Sequence, residues 1–385
     1  MESLETICSY RNEKASAASI TTEDLYVSTE SMGPNRGGVS RAASVPSEGK
    51  VSCFRKGDTL VSNIRPYFKK IWKADLDGYC SNDVLIFQPG QRCSADYLYW
   101  LLCGDAFFDY VMATSKGTKM PRGDKSAIMS YAIPSNSEMA QRNITSILNP
   151  IQAKIEMNAK LNGYLAELVS LKFMGRFSEN VPTVELGQVL SISTKSLKPQ
   201  DCFGEVWEHY SIPAYDEKHW PVFEPADGIK SNKYIVDKDC ILISKLNPTT
   251  KRIWMPACSS NRPVCSTEFI VYKPNELKHK SFYYAAIDAP AFTDFLLAHV
   301  TGSTGSRQRT QPKATLMYPM PAPGTEAIED FCAFADPIYE QIKANELESK
   351  QLEELRDVLL PRLMSGKIDV SKVDLTQLNS HLSGC

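Results

Sequence analysis

The strongest constraint on this chain is that its sequence matches itself. Asp58-Thr59-Leu60-Val61-Ser62-Asn63-Ile64-Arg65-Pro66 returns as Asp239-Cys240-Ile241-Leu242-Ile243-Ser244-Lys245-Leu246-Asn247-Pro248. Ser62 and Pro66 fall on Ser244 and Pro248, and Ile71-Trp72 falls on Ile253-Trp254, all at an offset of 182 (244 − 62). Leu4 and Ile7 fall on Leu186 and Val189 at the same offset. Cys80-Ser81 and Pro89 match Cys265-Ser266 and Pro274 at 185; Ile133-Pro134 and Pro150-Ile151 match Met320-Pro321 and Pro337-Ile338 at 187. An offset that drifts by a few residues along a whole chain is the mark of a duplicated unit whose loops have lengthened.

Each copy has two parts. The first alternates short β-branched and aromatic runs with Gly, Pro, Asp and Asn. Val51–Phe54, Thr59–Ile64, Val84–Phe87, Tyr234–Val236, Ile241–Ser244 and Glu268–Tyr272 are expected strands. Tyr97–Val111 and Phe282–Val300 have apolar residues at helical spacing and are expected as one helix each. The second part is a long amphipathic run, Ser137 to Phe177 in one copy and Thr325 to Met364 in the other. A long amphipathic helix cannot bury its stripe alone. The simplest solution packs the two on each other, antiparallel, with Ile151, Ile155, Leu165 and Leu168 facing Ile338, Ile342, Leu352 and Leu355. Asn158 and Asn345 lie on or beside that seam, where a polar residue fixes register.

The expected fold is therefore α/β (α+β): two globular domains joined by two long, coiled-coil-like helices, with a pseudo-twofold repeat. The boundaries are 1–135 and 178–324 for the globular parts, 136–177 and 325–369 for the helices, and 370–385 for a tail.

Catalytic signatures are missing from the sequence. Thr301-Gly302-Ser303-Thr304-Gly305-Ser306 lacks the Gly-Lys-Ser/Thr of a phosphate-binding loop and the spacing of a nucleophile elbow. Leu246-Asn247-Pro248-Thr249 lacks the second proline and aromatic of an amino-methyltransferase motif. The 11 cysteines form no Cys-x-x-Cys pair and the five histidines have no ligand spacing to them, so no metal site is expected and the thiols are expected reduced. No stretch has the ~18 consecutive apolar residues of a membrane span, and the start of the chain has no signal pattern, so a cytoplasmic protein is expected.

What recurs instead is polar and basic. Late in each globular part comes a hydroxyl-rich basic loop. Lys116, Thr118, Lys119, Arg122 and Lys125 lie in the first; Ser303, Thr304, Arg307, Gln308, Arg309 and Lys313 lie in the second. A second basic cluster follows the repeated strand: Arg65, Lys69 and Lys70, then Lys245, Lys251 and Arg252. Such side chains hold phosphates, and Arg and Gln read base edges. The net charge is only −2, so DNA binding would rest on these local patches. Residues 1–135 and 178–324 each hold 16 Lys+Arg against 15 Asp+Glu; residues 325–369 hold 5 against 11. The second helix is thus the poorer DNA surface and better suited to a protein partner.

The repeated blocks Asp58–Pro66 with Cys80–Pro89, and Asp239–Pro248 with Cys265–Pro274, resemble the core of a target recognition domain. Thr301–Pro321 and the closing run Leu355–Gly366 resemble the domain ending and helix end of the same family. The chain is similar throughout to the specificity subunits of type I restriction-modification systems. The resemblance implies a non-catalytic, prokaryotic DNA-recognition subunit. Each recognition domain would read one half of a bipartite site on double-stranded DNA. The helices would set the spacer and dock two modification (methyltransferase) subunits, with restriction subunits joining where present. S-adenosylmethionine, ATP and Mg would be bound by those partners, and the chain itself would hold no cofactor. Two other readings stay open on the residues alone: a protein-interaction scaffold without DNA binding, and the recognition module of a solitary DNA methyltransferase.

Overall fold

The computed structural model describes residues 1–301 and 308–370. The chain forms two compact units. Of the described residues, unit 1 comprises 1–156 with 350–370, and unit 2 lies within 157–349.

In unit 1 a four-stranded antiparallel sheet is built from β1 (Cys8–Tyr10), β2 (Thr59–Ser62), β3 (Ile71–Lys73) and β4 (Val84–Pro89), in the order β1-β4-β2-β3. Cys8 pairs with Pro89, Thr59 with Phe87 and Val61 with Ile71. All four residues of β2 are buried, as expected for a central strand covered on both faces. Val61, Leu85 and Phe87 face one core, with Tyr97, Leu101, Phe107 and Phe108; Leu60, Val84 and Ile86 face another, with Val27, Phe54 and Cys80. That alternation is the period of two of a pleated strand. A second sheet orders Lys14–Ser16, Lys50–Phe54, Gly78–Cys80 and Tyr26–Val27.

The first long helix, α1, spans Glu138–Phe177. Unit 2 then repeats the plan. Its sheet is β5 (Leu190–Ser193), β6 (Ile241–Ser244), β7 (Ile253–Trp254) and β8 (Phe269–Pro274), in the order β5-β8-β6-β7. Its second sheet has five strands: Val206–Tyr210 lies parallel to Pro263–Ser266, as Tyr26–Val27 does to Gly78–Cys80, and Val222–Pro225 is added at the edge. The second long helix, α2, spans Thr325–Met364.

The expected single helices are each two. Ala95–Cys103 and Asp105–Ala113 meet at Gly104, and Lys280–Asp288 and Pro290–Ala298 meet at Ala289. Both junction residues are extended, with ψ of 143° and 147°. At Ala289 the cause is Pro290, whose ring disfavours helical backbone in the residue before it.

Both long helices contribute to both units, and within each unit they pack antiparallel. In unit 1 Ile144 and Leu148 of α1 share a core with Leu360 and Leu363 of α2, and Arg356 donates to Gln152 at 2.9 Å. In unit 2 Phe173 and Phe177 close on Phe331, with ring centroids 5.6 and 5.7 Å apart. Asn158 and Asn345, equivalent in the repeat, are 2% and 5% exposed and lie in the seam. Asn158 donates to the carbonyl of Asn345 at 3.3 Å and to Glu348 at 2.8 Å, while Asn345 donates to Asn162 at 2.7 Å. These amides are satisfied only in one register, which is how a buried Asn specifies alignment at a cost in stability.

Ile151, Ile155, Leu165, Ile338, Ile342 and Leu352 are half-buried. Leu168 and Leu355 do not face the seam; they are 48% and 47% exposed. Val169 and Arg356, one residue on, are buried instead. At 3.6 residues per turn the inward face drifts from a strict seven-residue spacing, so steps counted from Ile151 run off the seam by Leu168. Met157, Leu161, Tyr164, Leu168 and Leu171 are all exposed. They recur at steps of four and three and form a second apolar stripe beside the seam.

Candidate nucleic-acid interface

The two basic clusters that are separate in sequence meet in space, once in each unit. In unit 1, β2 ends at Ser62 and the chain reverses through a left-handed Arg65 (φ 51°), a single 3-10 turn at Pro66–Phe68 and a left-handed Lys69 (φ 50°). The loop from Lys116 closes on itself, because Lys116 and Arg122 exchange both backbone hydrogen bonds at 2.9 Å. Gly117 (φ 93°) makes that reversal, a conformation only glycine adopts cheaply. The loop then joins the end of β2: Ile64 bridges Arg122, and the Arg65 amide donates to the Pro121 carbonyl at 2.9 Å. Gly123 seals the junction. A Cβ there would come within 2.8 Å of Asn63, Val111 and Ile128.

Unit 2 builds the same junction from other residues. After β6, Asn247 is left-handed (φ 49°) and precedes Pro248, as Arg65 precedes Pro66. Leu246 bridges Arg309, the Asn247 amide donates to the Gln308 carbonyl at 2.9 Å, and the Thr310 amide donates to the Lys245 carbonyl at 3.0 Å. A left-handed non-glycine residue costs roughly 1–2 kcal/mol, less for Asn than for Arg. Backbone strain of this kind concentrates at functional sites.

Half of the described basic side chains are braced by carboxylates. Lys69 reaches Asp105 at 2.7 Å and Arg122 reaches Asp83 at 3.2 Å. Lys116 pairs with Asp124 at 2.6 Å, which lowers the Asp124 carboxyl and raises the lysine; the same carboxylate caps the helix Lys125–Met129. Lys251 pairs with Asp288, Arg252 grips Asp216 through two bonds of 2.6 and 2.8 Å, and Arg309 holds Glu268 at 3.0 and 3.2 Å. Lys70 donates to the Thr29 carbonyl at 2.6 Å, and burial lowers its ammonium. Arg65 is half-buried; Lys245 and Gln308 are also half-buried, while Thr118, Lys119, Lys125 and Lys313 are exposed. Ser303, Thr304 and Arg307 lie outside the described residues. A phosphate at the braced side chains would exchange with Asp or Glu.

Two further residues of the unit 1 junction escape a search for basic clusters. Tyr67 and Phe68, in the turn between the two left-handed residues, are 47% and 38% exposed. Among the described residues no group of three His, Cys, Asp or Glu side chains could hold a metal, and no helix is long and apolar enough to cross a membrane. The described cysteines are all free and, except for half-buried Cys258, buried. Burial raises Cys8 and Cys80 to about 12, which leaves those thiols inert.

No family model matches the chain. It is 22% identical over 420 residues to the type I restriction enzyme HindI specificity subunit of Haemophilus influenzae, a match that takes in 86% of this chain and 90% of that protein. The solved type I restriction-modification S subunit of M. genitalium superposes with a TM-score of 0.58 at 15% identity, over 94% of this chain and 95% of that one. The chain is thus similar along most of its length to a type I specificity subunit, and over 94% of its length it has the fold of the M. genitalium S subunit. The junctions described above are the parts that the repeat builds twice.

Proposed function

We propose that the chain is the DNA sequence-recognition subunit of a type I restriction-modification complex. It is a non-catalytic member. Unit 1 reads one half of a bipartite site and unit 2 the other, each through the junction of a strand-end turn with the late loop. The observation that carries this reading is the match along nearly all of both proteins to a type I specificity subunit. The two junctions, built alike on different side chains, fit it: equal frames present different residues to two different half-sites. Direct readout needs side chains at base edges in the major groove, with phosphate contacts fixing position.

α1 and α2, 40 residues each, would be on the order of 60 Å long and set the gap between half-sites. The exposed stripe from Met157 to Leu171 is the surface on which methyltransferase subunits dock, two per complex. S-adenosylmethionine, and ATP with Mg where a restriction subunit joins, belong to those partners, and the assembly works in the cytoplasm beside the chromosome.

The test is methylome sequencing of cells with and without this chain, in the presence of its methyltransferase partner. A bipartite methylated motif that vanishes with the chain is expected. An unchanged methylome, with the partner expressed and active, would overturn the reading in favour of a scaffold without DNA.

A further inference from the structure

Among the described residues eight non-glycine residues have left-handed backbone, and four of them are at one place: Asn35, Arg36, Arg65 and Lys69. They act together. The Asn35 amide donates to the Phe68 carbonyl at 2.7 Å and the Arg36 amide to the Lys69 carbonyl at 3.0 Å, while Arg65 and Lys69 bracket the turn. Pro66 is buried beneath it. The turn is thereby fixed from both sides, and it directs two rings outward. Tyr67 and Phe68 touch with centroids 4.6 Å apart, and the Lys70 ammonium lies 5.7 Å from the Phe68 ring. In unit 2 the equivalent positions, at the offset of 182, are Thr249 and Thr250, whose hydroxyls are engaged with Asn247.

An exposed aromatic pair held on a costly backbone, next to the late loop, is an apolar contact surface placed on the junction proposed to meet DNA. On the base edges of the major groove the apolar group is the C5-methyl of thymine. We infer that Tyr67 and Phe68 are specificity-determining residues that read thymine methyl groups in the first half-site, whereas unit 2 reads its half through hydroxyl and amide groups. This rests on the proposed DNA-recognition function.

The test uses the full chain assembled with its methyltransferase partner and the target taken from the methylome. Each thymine of the half-site read by unit 1 is replaced in turn by uracil, which removes only the methyl. Wild-type binding should weaken about four-fold at one or two positions, the worth of one buried methyl. The Tyr67→Ala/Phe68→Ala complex should lose that sensitivity, and Tyr67→Phe should keep it. The inference is overturned if that half-site contains no thymine on either strand, if uracil is neutral at every position, or if the double variant stays as sensitive as wild type. Uracil that is neutral at every position on wild-type protein overturns the inference even where a variant fails to fold. Specific binding that ignores the methyl sinks this inference alone; absence of any sequence-specific binding sinks the proposed function with it.

Discussion

In unit 1 the turn after β2 carries Arg65, Tyr67 and Phe68; in unit 2 the turn after β6 carries Asn247, Thr249 and Thr250. The two turns reverse at φ 51° and 49°, each immediately before a proline, and each is tied by backbone hydrogen bonds to its late loop. The backbone frame is common and the outward side chains are not. Recognition of two different sequences needs this division: the frame sets where side chains stand, and the side chains set what is read. The interiors differ in a second way. In unit 2 the long helices bury the aromatics Phe173, Phe177 and Phe331; in unit 1 they bury the aliphatics Ile144, Leu148, Leu360 and Leu363.

The largest effect should come from that aromatic core. Phe331 is fully buried against three other rings, so Phe331→Ala should cost about 3–5 kcal/mol. If the units are separate, hydrogen exchange will show faster opening in unit 2 and little change in the sheet of unit 1. Equal acceleration in both would join them into one cooperative body.

Acid should also act on unit 2 first, with a smaller effect than the loss of Phe331. Four of the five histidines are in its residues. Burial is the main influence on His209 and holds its imidazole below the ordinary 6.5, although Glu224 lies 2.6 Å from Nδ1. A folded-state value below the unfolded one means that the unfolded chain takes up the proton first. That contribution is therefore present above pH 6.5 and is lost as the pH falls from there through the lower, folded value. Thermal melts followed from pH 7.5 downward should show unit 2 melting earlier, and His209→Gln should flatten the dependence.

Smaller still is the effect of the outer stripe on stability. Leu168→Ala removes a half-exposed side chain and should change stability by less than about 0.5 kcal/mol, yet it should weaken capture of the methyltransferase subunit. Phe173→Ala, on the buried side of the same helix, should do the opposite. If both variants behave alike in a binding assay, the stripe is not the docking surface. The smallest change is Arg65→Asn, which places the unit 2 residue in the unit 1 turn. Asn tolerates the left-handed region better than Arg, so stability should rise by no more than about 0.5 kcal/mol, read as a small upward shift in thermal melts.

Much of the frame is legible in the sequence because it is periodic or repeated. α2 begins and ends where its apolar spacing does, at Thr325 and Met364, and α1 starts one residue after Ser137. The break at Ala289 is legible in principle from Pro290. The face of Leu168 is not, because two apolar stripes overlap in α1 and only tertiary packing says which is inside. The junctions are visible as two basic clusters, but Asp83, Asp105, Asp216, Asp288 and Glu268 come to them from elsewhere in the chain, so sequence alone cannot anticipate the ion pairs. Tyr67 and Phe68 escape notice for a simpler reason. Beside Arg65, Lys69 and Lys70 an aromatic pair looks like core, and only the fold shows it in the open.

The central claim is that each unit reads one half of the DNA site independently, and an exchange tests it most directly. Residues 1–135 are replaced by the corresponding part of another specificity subunit of known target, and the methylome is sequenced in cells that hold the same methyltransferase partner. One half of the methylated motif should change to that of the donor, with the other half retained. A motif altered in both halves, or unaltered in either, would contradict the account.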